Sequence, residues 1–197
     1  APHDGKPLPA FHPGQYLTFK INLQDEQKPL IRCYSLSDSP THPDYYRVTI
    51  KHERPPTDRP DLPPGKSSSY FHQLFNPDDI IDVKAPSGHF YLDMDHNNPV
   101  VLIGGGIGIT PVLSMLNTLI VEDSNREIWF FYGARDGSEI IMKEHFAEIA
   151  REHPNIRINL CFSRPRDQDK QGEDYHHHGR ITVDLFRELL PSNNYDY

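Results

Sequence analysis

Two short segments combine residue types and spacings that could do chemistry. In the first, residues 100–103 (Val-Val-Leu-Ile) run into Gly104-Gly105-Gly106-Ile107-Gly108-Ile109-Thr110-Pro111. A buried strand would end there in a turn open only to small residues, with a helix behind it. Thr110 is placed to cap that helix and Pro111 suits its first position. Bare backbone amides and a helix N-terminus suit a diphosphate. The run is not the usual dinucleotide fingerprint, which has glycines at positions one, three and six; the sixth residue from Gly104 is Ile109. No acidic ribose ligand follows the next strand, where Tyr132-Gly133-Ala134-Arg135 stands instead. A glycine turn made only for packing is the alternative. The second segment is Arg32-Cys33-Tyr34-Ser35. It offers a planar cation, an aromatic ring and a hydroxyl, with Arg32 and Tyr34 on one face of a strand and Ser35 on the other. By itself such a tetrapeptide is ordinary strand edge.

The elements that must position these segments follow two grammars, changing near residues 95–99. Before the change, apolar residues alternate: Leu17, Phe19 and Ile21 form one series, and Tyr46, Val48 and Ile50 another. Residues 80–84 are a third short strand candidate. Turns rich in proline and glycine separate them, which reads as a small barrel or sandwich. After the change, strands at 100–103, 128–132 and 156–162 alternate with helices at 110–121, 139–152 and from Thr182 or Asp184 to Leu190. Ser138 is the expected cap of the middle helix. That order implies a parallel, doubly wound sheet. The expected fold is an antiparallel β barrel over residues 1–97, then an α/β domain over 98–197. Residues 54–66, with five prolines, and 164–178, with three adjacent histidines, read as surface loops.

Composition narrows the function. The 197 residues carry 28 acidic against 20 basic side chains, net −8, which argues against a nucleic-acid partner. A mean hydropathy of −0.66 and no long apolar run argue against a membrane span. Two cysteines make no disulfide scaffold and no zinc cluster. No leader pattern opens the chain, so a cytoplasmic location is expected. His176, His177 and His178 are read as a solvated loop, not a metal site, and no metal is expected. Cys161 is read as a buried strand residue, Trp129 and Phe130 as sheet packing, and Asp93, Asp95 and His96 as a linker.

Taken in order, Pro13-Gly14-Gln15-Tyr16, Arg32-x-Tyr34-Ser35, Pro86-x-Gly88-x-Phe90, the 104–111 turn and Tyr132-Gly133-Ala134-Arg135 resemble the ferredoxin–NADP reductase superfamily. The likeness is strongest to the reductase module of flavohaemoglobins and of multidomain iron–sulfur reductases. The resemblance implies FAD and NADH or NADPH as cofactors. It implies hydride transfer from nicotinamide C4 to flavin N5, then single-electron delivery to a haem or iron–sulfur acceptor, which can belong to the same parent chain. Arg32 would pair with flavin phosphate, Tyr34 pack on the flavin ring and Ser35 approach N5. The backbone of Ile50 and Lys51, on the strand after, would line the flavin. Gly65, Lys66, Ser67, Ser68 and Ser69 resemble the flavin-diphosphate segment, and read equally well as a polar helix cap. Gly105, Gly106 and Thr110 would meet the pyridine nucleotide, with Thr110 near its nicotinamide, so the catalytic set is Ser35, Tyr34 and Thr110. Ser163 and Arg164 would contact the adenosine side. A 2′-phosphate would suit them, while the flavohaemoglobin likeness leans toward NADH.

The family pattern also has two strands before Pro13 and a Cys-Gly-Pro strand after the last helix. Only residues 1–12 precede the first motif and the chain stops at Tyr197, so both domains are expected to be truncated. Two rival readings remain: a catalytically silent flavin- and nucleotide-binding fragment, and an α/β nucleotide-binding enzyme without flavin.

Overall fold

The computed structural model describes residues 2, 5–24, 26–42, 44–192 and 194–197. Residues 1, 3 and 4 of the leading segment therefore lie outside the description. The chain divides into two compact units: Ala1–Leu92 with Leu113–Thr118, and Asp93–Val112 with Leu119–Tyr197.

The first unit holds an antiparallel sheet of three strands, β1 (Tyr16–Ile21), β2 (Leu30–Ser35) and β3 (Asp82–Ser87), in the order β2-β1-β3. Alternation fixes β1: Leu17, Phe19 and Ile21 are buried while Lys20 is exposed. Leu17, Phe19, Ile21 and Leu36 form the core, and Tyr34, Val48 and Phe71 pack against it. Register sets Phe19 opposite Arg32 and Leu17 opposite Tyr34. The expected third strand lies a little later than 80–84, and Ile80 stays exposed before it. The alternating series Tyr46, Val48, Ile50 does not become a strand. Val48 makes a single antiparallel bridge to Leu36, and Tyr46 and Val48 turn their side chains to the core without a ladder. Ile50 and Lys51 therefore lie on irregular backbone, not on a strand. A short helix, α1 (Lys66–Ser69), continues as a π-helical turn, Tyr70–Leu74.

The second unit holds a parallel sheet of four strands in the order β4-β5-β6-β7: β4 (Val100–Gly105), β5 (Ile128–Ala134), β6 (Ile156–Phe162) and β7 (His177–His178). Helix α2 (Ile109–Val121) links β4 to β5, α3 (Lys143–Glu152) links β5 to β6, and α4 (Val183–Leu189) follows β7. The residues of β5 alternate between two apolar layers. Phe130 and Tyr132 meet Phe146 of α3, and Phe131 meets Phe186 of α4. Both faces are thus covered, as a parallel sheet requires.

Three expectations for this unit need correction. Thr110 and Pro111 are the second and third residues of α2, because a 3-10 turn over Gly106–Gly108 brings the chain into helix earlier. The middle helix starts at Lys143, and Ser138 does not cap it; Glu139 is drawn away by Arg135 and the backbone at Met142 is left-handed. The histidine run is exposed at His176 and His178, as expected, but it is not all loop. His177 and His178 form β7, the Nδ1 of His176 accepts from the Leu160 amide at 2.9 Å, and His177 Nε2 lies 3.0 Å from Asn159 Oδ1. Among the described residues no helix is long and apolar enough to cross a membrane.

Candidate active site

The carboxyl ends of β4, β5 and β6 open onto a cleft of about 430 Å³. Its lining includes Gly104, Gly105 and Gly106 from the first segment, Gly133, Ala134 and Arg135 from the end of β5, and Ser163 just after β6. This is the edge of an open parallel sheet where ligands bind in α/β folds.

The glycines divide the work. A Cβ on Gly104 would lie 2.6 Å from Ile109 Cδ1 and 2.9 Å from its Cα, so this glycine lets the helix start pack on the strand. Gly106 has φ +51°, and a Cβ there would meet nothing within 4 Å. Its backbone faces open space, with room for a ligand's phosphates to approach the amides. A nicotinamide dinucleotide fits this cradle. Thr110 is buried with its hydroxyl donating to the Ile107 carbonyl at 3.1 Å, and it does not line the cleft. Ser163 Oγ donates to Ala134 O at 3.4 Å, while Arg164 is exposed outside the lining. Cys161 lines the cleft, and burial pushes its thiol up to about 11, so it is protonated at neutral pH and no nucleophile.

The other predicted residues lie on the first unit. Tyr34 Oη and Ser67 Oγ are 2.7 Å apart, which ties β2 to α1. The Tyr34 ring also meets Phe19 and Phe71 edge-on. Arg32 is exposed and donates to its neighbour's carbonyl, Ile31 O, at 2.8 Å. Ser35 ends β2 opposite Tyr16. Ser68 is buried and its hydroxyl closes the proline-rich loop, accepting from Glu53 N and donating to Gly65 O, both at 3.0 Å. Gly65 donates its own amide to Glu53 O at 2.9 Å. Lys66 is paired with Glu26, Lys51 is exposed, and the Ile50 carbonyl is 2.7 Å from His72 Nε2. The structure thus joins Tyr34 to Ser67, with Ser68 next to it on α1. A cation, a fixed aromatic ring and short hydroxyls beside an outer strand fit a flavin nucleotide. The sequence reading missed Glu139, Gly179, Arg180 and Ile181, all in the cleft lining. The dipeptide before Ile181 carries no motif, so nothing marked it in advance.

Two family descriptions match the chain, an oxidoreductase FAD-binding domain over residues 6–91 and an oxidoreductase NAD-binding domain over 102–197. The chain belongs to the ferredoxin–NADP reductase superfamily. A flavohemoprotein of Bacillus cereus is 38% identical over 196 residues, an alignment covering 100% of this chain and 48% of that protein. One from Bordetella pertussis is 36% identical over 197 residues, covering 99% and 48%. The chain therefore spans about half the length of these curated relatives. Among solved structures, the FAD/NAD-binding domain of a nitric oxide dioxygenase from Vibrio cholerae superposes with TM-score 0.77 at 26% identity, covering 92% of this chain and 71% of that one. The cytochrome b5 reductase domain of Ulva prolifera nitrate reductase gives 0.76 at 20% identity, covering 93% and 72%, a likeness of fold alone. The chain thus carries an oxidoreductase FAD-binding domain followed by an oxidoreductase NAD-binding domain, and is similar over its length to about half of a flavohemoprotein.

Proposed function

We propose that this module takes hydride from NADH, or NADPH, to FAD and passes electrons singly to a haem or iron–sulfur acceptor. The observation that carries the reading is the cleft: bare glycine backbone at the carboxyl ends of a parallel sheet, open above Gly106. When bound, FAD supplies the conversion between a two-electron donor and one-electron acceptors.

The chain's residues hold and orient. Arg32, exposed and permanently charged, pairs with flavin phosphate. Tyr34 presents a ring that Ser67 and Phe71 keep from rotating, and Ser35 offers its hydroxyl to the flavin. Ile50 and Lys51 line the flavin through their backbone, with the Ile50 carbonyl itself engaged by His72. Gly65, Lys66, Ser67 and Ser68 serve the diphosphate, Ser68 through its amide because its hydroxyl is spent on the loop. Gly105 and Gly106 meet the dinucleotide diphosphate and Ser163 and Arg164 face adenosine; Thr110, buried behind the cleft with its hydroxyl on Ile107 O, holds the helix start on the nicotinamide side. The acceptor's domain, in the same parent chain or in another protein, belongs to this proposal too.

One titration tests it. Protein supplied with FAD should show a bound-flavin visible spectrum that bleaches when NADH, or NADPH, is added anaerobically. Protein that takes up no FAD overturns the reading. Bound FAD that neither donor bleaches reduces it to nucleotide binding without turnover.

A further inference from the structure

The cleft holds a cation that the reading so far leaves without work. Two arginines and one glutamate line it: Arg135, Arg180 and Glu139. Arg135 is spent, because its Nε donates to Glu139 Oε1 at 2.9 Å and its amide reaches Glu139 Oε2 at 3.2 Å. The guanidinium of Arg180 has no hydrogen bond, ion pair or ring contact among the described residues. A lone guanidinium in a cleft of a chain carrying net −8 is one uncompensated positive charge beside bare amides.

Its backbone, by contrast, is held on both sides. Gly179 N donates to Phe162 O at 2.8 Å, which pins the chain to the end of β6. Ile181 packs over Gly133, where its Cδ1 would lie 3.3 Å from an added Cβ. Ile181 also joins the apolar layer of Val101, Trp129 and Phe131. The two fixed neighbours aim position 180 at the cleft whatever the side chain does. A donor fork on a fixed stem, with all its donors free, is suited to a planar or tetrahedral oxyanion.

We propose that Arg180 binds a phosphate of the nicotinamide dinucleotide and positions it in the cleft. The inference rests on the dinucleotide reading of that cleft. Two phosphates have the required chemistry: the diphosphate shared by NADH and NADPH, and the 2′-phosphate of NADPH alone.

The test measures dissociation constants of NADH, NADPH and redox-inactive ADP-ribose for the wild-type chain, Arg180→Ala and Arg180→Lys. Loss of one charge-assisted contact weakens binding roughly ten- to hundred-fold. An equal loss for all three probes in Arg180→Ala assigns the residue to the diphosphate. A loss confined to NADPH assigns it to the 2′-phosphate. Arg180→Lys should recover part of the affinity, since charge without the fork is partly sufficient. Affinities of Arg180→Ala within two-fold of wild type for every probe overturn the role of Arg180 and leave the cleft assignment standing. A wild-type chain that binds none of the probes overturns both.

Discussion

The nucleotide cleft and the flavin patch are built from different materials. The cleft is mostly backbone, set at the ends of strands whose side chains are buried: Phe130, Phe131 and Tyr132 have no exposed surface. The patch is mostly side chains, carried on β2, which has β1 as its strand partner, and on a helix of four residues. Arg32 is exposed there and its neighbour Ile31 is 48% exposed. A site made of backbone is as rigid as the core under it. A site made of side chains on an outer strand is only as well placed as the few contacts that hold each ring and hydroxyl. Substitutions should therefore act on the cleft through global stability and on the patch through local order.

The strongest break is expected where the sheet itself is clamped. Arg126 has a side chain only 2% exposed. It donates to Asn98 O at 2.7 Å and to Asp196 Oδ2 at 2.9 Å. Asp196 in turn joins β4, accepting from Val101 N at 2.8 Å and donating to Pro99 O at 2.9 Å. Arg126→Ala removes these bonds and a longer one to Asp93 O at 3.4 Å, and leaves the carboxylate only Asn98 Nδ2 at 3.5 Å. A loss of about 3 kcal/mol in urea denaturation is expected. A loss below about 0.5 kcal/mol would show that the sheet edge does not depend on this pair.

The two central glycines sharpen the comparison inside the cleft. Gly104→Ala drives a methyl group against the backbone of Ile109, so about 2 kcal/mol of stability should go. Gly106→Ala meets no atom, and only its left-handed φ of +51° costs, about 1 kcal/mol. Its methyl stands where the dinucleotide is proposed to lie, so its KM for NADH should rise more than that of Gly104→Ala. Stability curves and steady-state kinetics on the same preparations separate the two. If Gly104→Ala has the larger KM effect, the division of labour drawn here is wrong.

Those glycines also show how much of the molecule could be read in advance. Elements with a strong period and a buried destination were legible: the alternation of β1, and the apolar runs of β4, β5 and β6 with their helices. What failed was decided by partners distant in sequence. Tyr46, Val48 and Ile50 alternate like a strand, yet Tyr46 and Val48 pack on the core without a ladder. The helix expected from Glu139 starts only at Lys143, because Glu139 is claimed by Arg135, four residues earlier. His176 is exposed and His177 half-buried, yet β6 ties both down through Leu160 N and Asn159, which no local pattern announces. The glycine turn and the Arg32–Ser35 segment were legible as sites because their spacing alone carries meaning. Arg180 was not, because only the fold brings it to the cleft.

On the flavin side the expected effects are smaller. Tyr34→Phe removes one hydroxyl contact and leaves Ser67, which is buried, without its partner. A loss of about 1 kcal/mol in stability is expected. FAD should also dissociate faster in a spectroscopic release assay. Equal FAD retention in wild type and variant would mean that the ring is held by Phe19 and Phe71 alone.

The smallest effect tests whether the cleft, for all its buried support, has one weak wall. β7 leads directly to the Gly179 and Arg180 lining, and it is held to β6 partly by the neutral ring of His176. An Nδ1 that accepts from Leu160 N cannot carry a proton. Burial, and then the charge of His177, hold the His176 imidazole below its ordinary value; His177 is lowered by burial, against an opposing pull from Glu188. Above the ordinary histidine pKa of about 6.5 both folded and unfolded chains are neutral here, and the contribution is complete. As pH falls from there through the lowered folded values, the unfolded chain takes up protons that the folded chain refuses, so stability declines. The His176 ring is partly exposed, which keeps the loss below that of either glycine substitution. Urea midpoints measured from pH 7.5 to 5 should fall in wild type and fall less steeply in His176→Gln. The KM for the nucleotide should rise over the same range, because the strand that loosens is the one that presents Arg180. Parallel pH slopes in the two proteins would place the acid sensitivity elsewhere and leave the β7 wall as firm as the rest of the cleft.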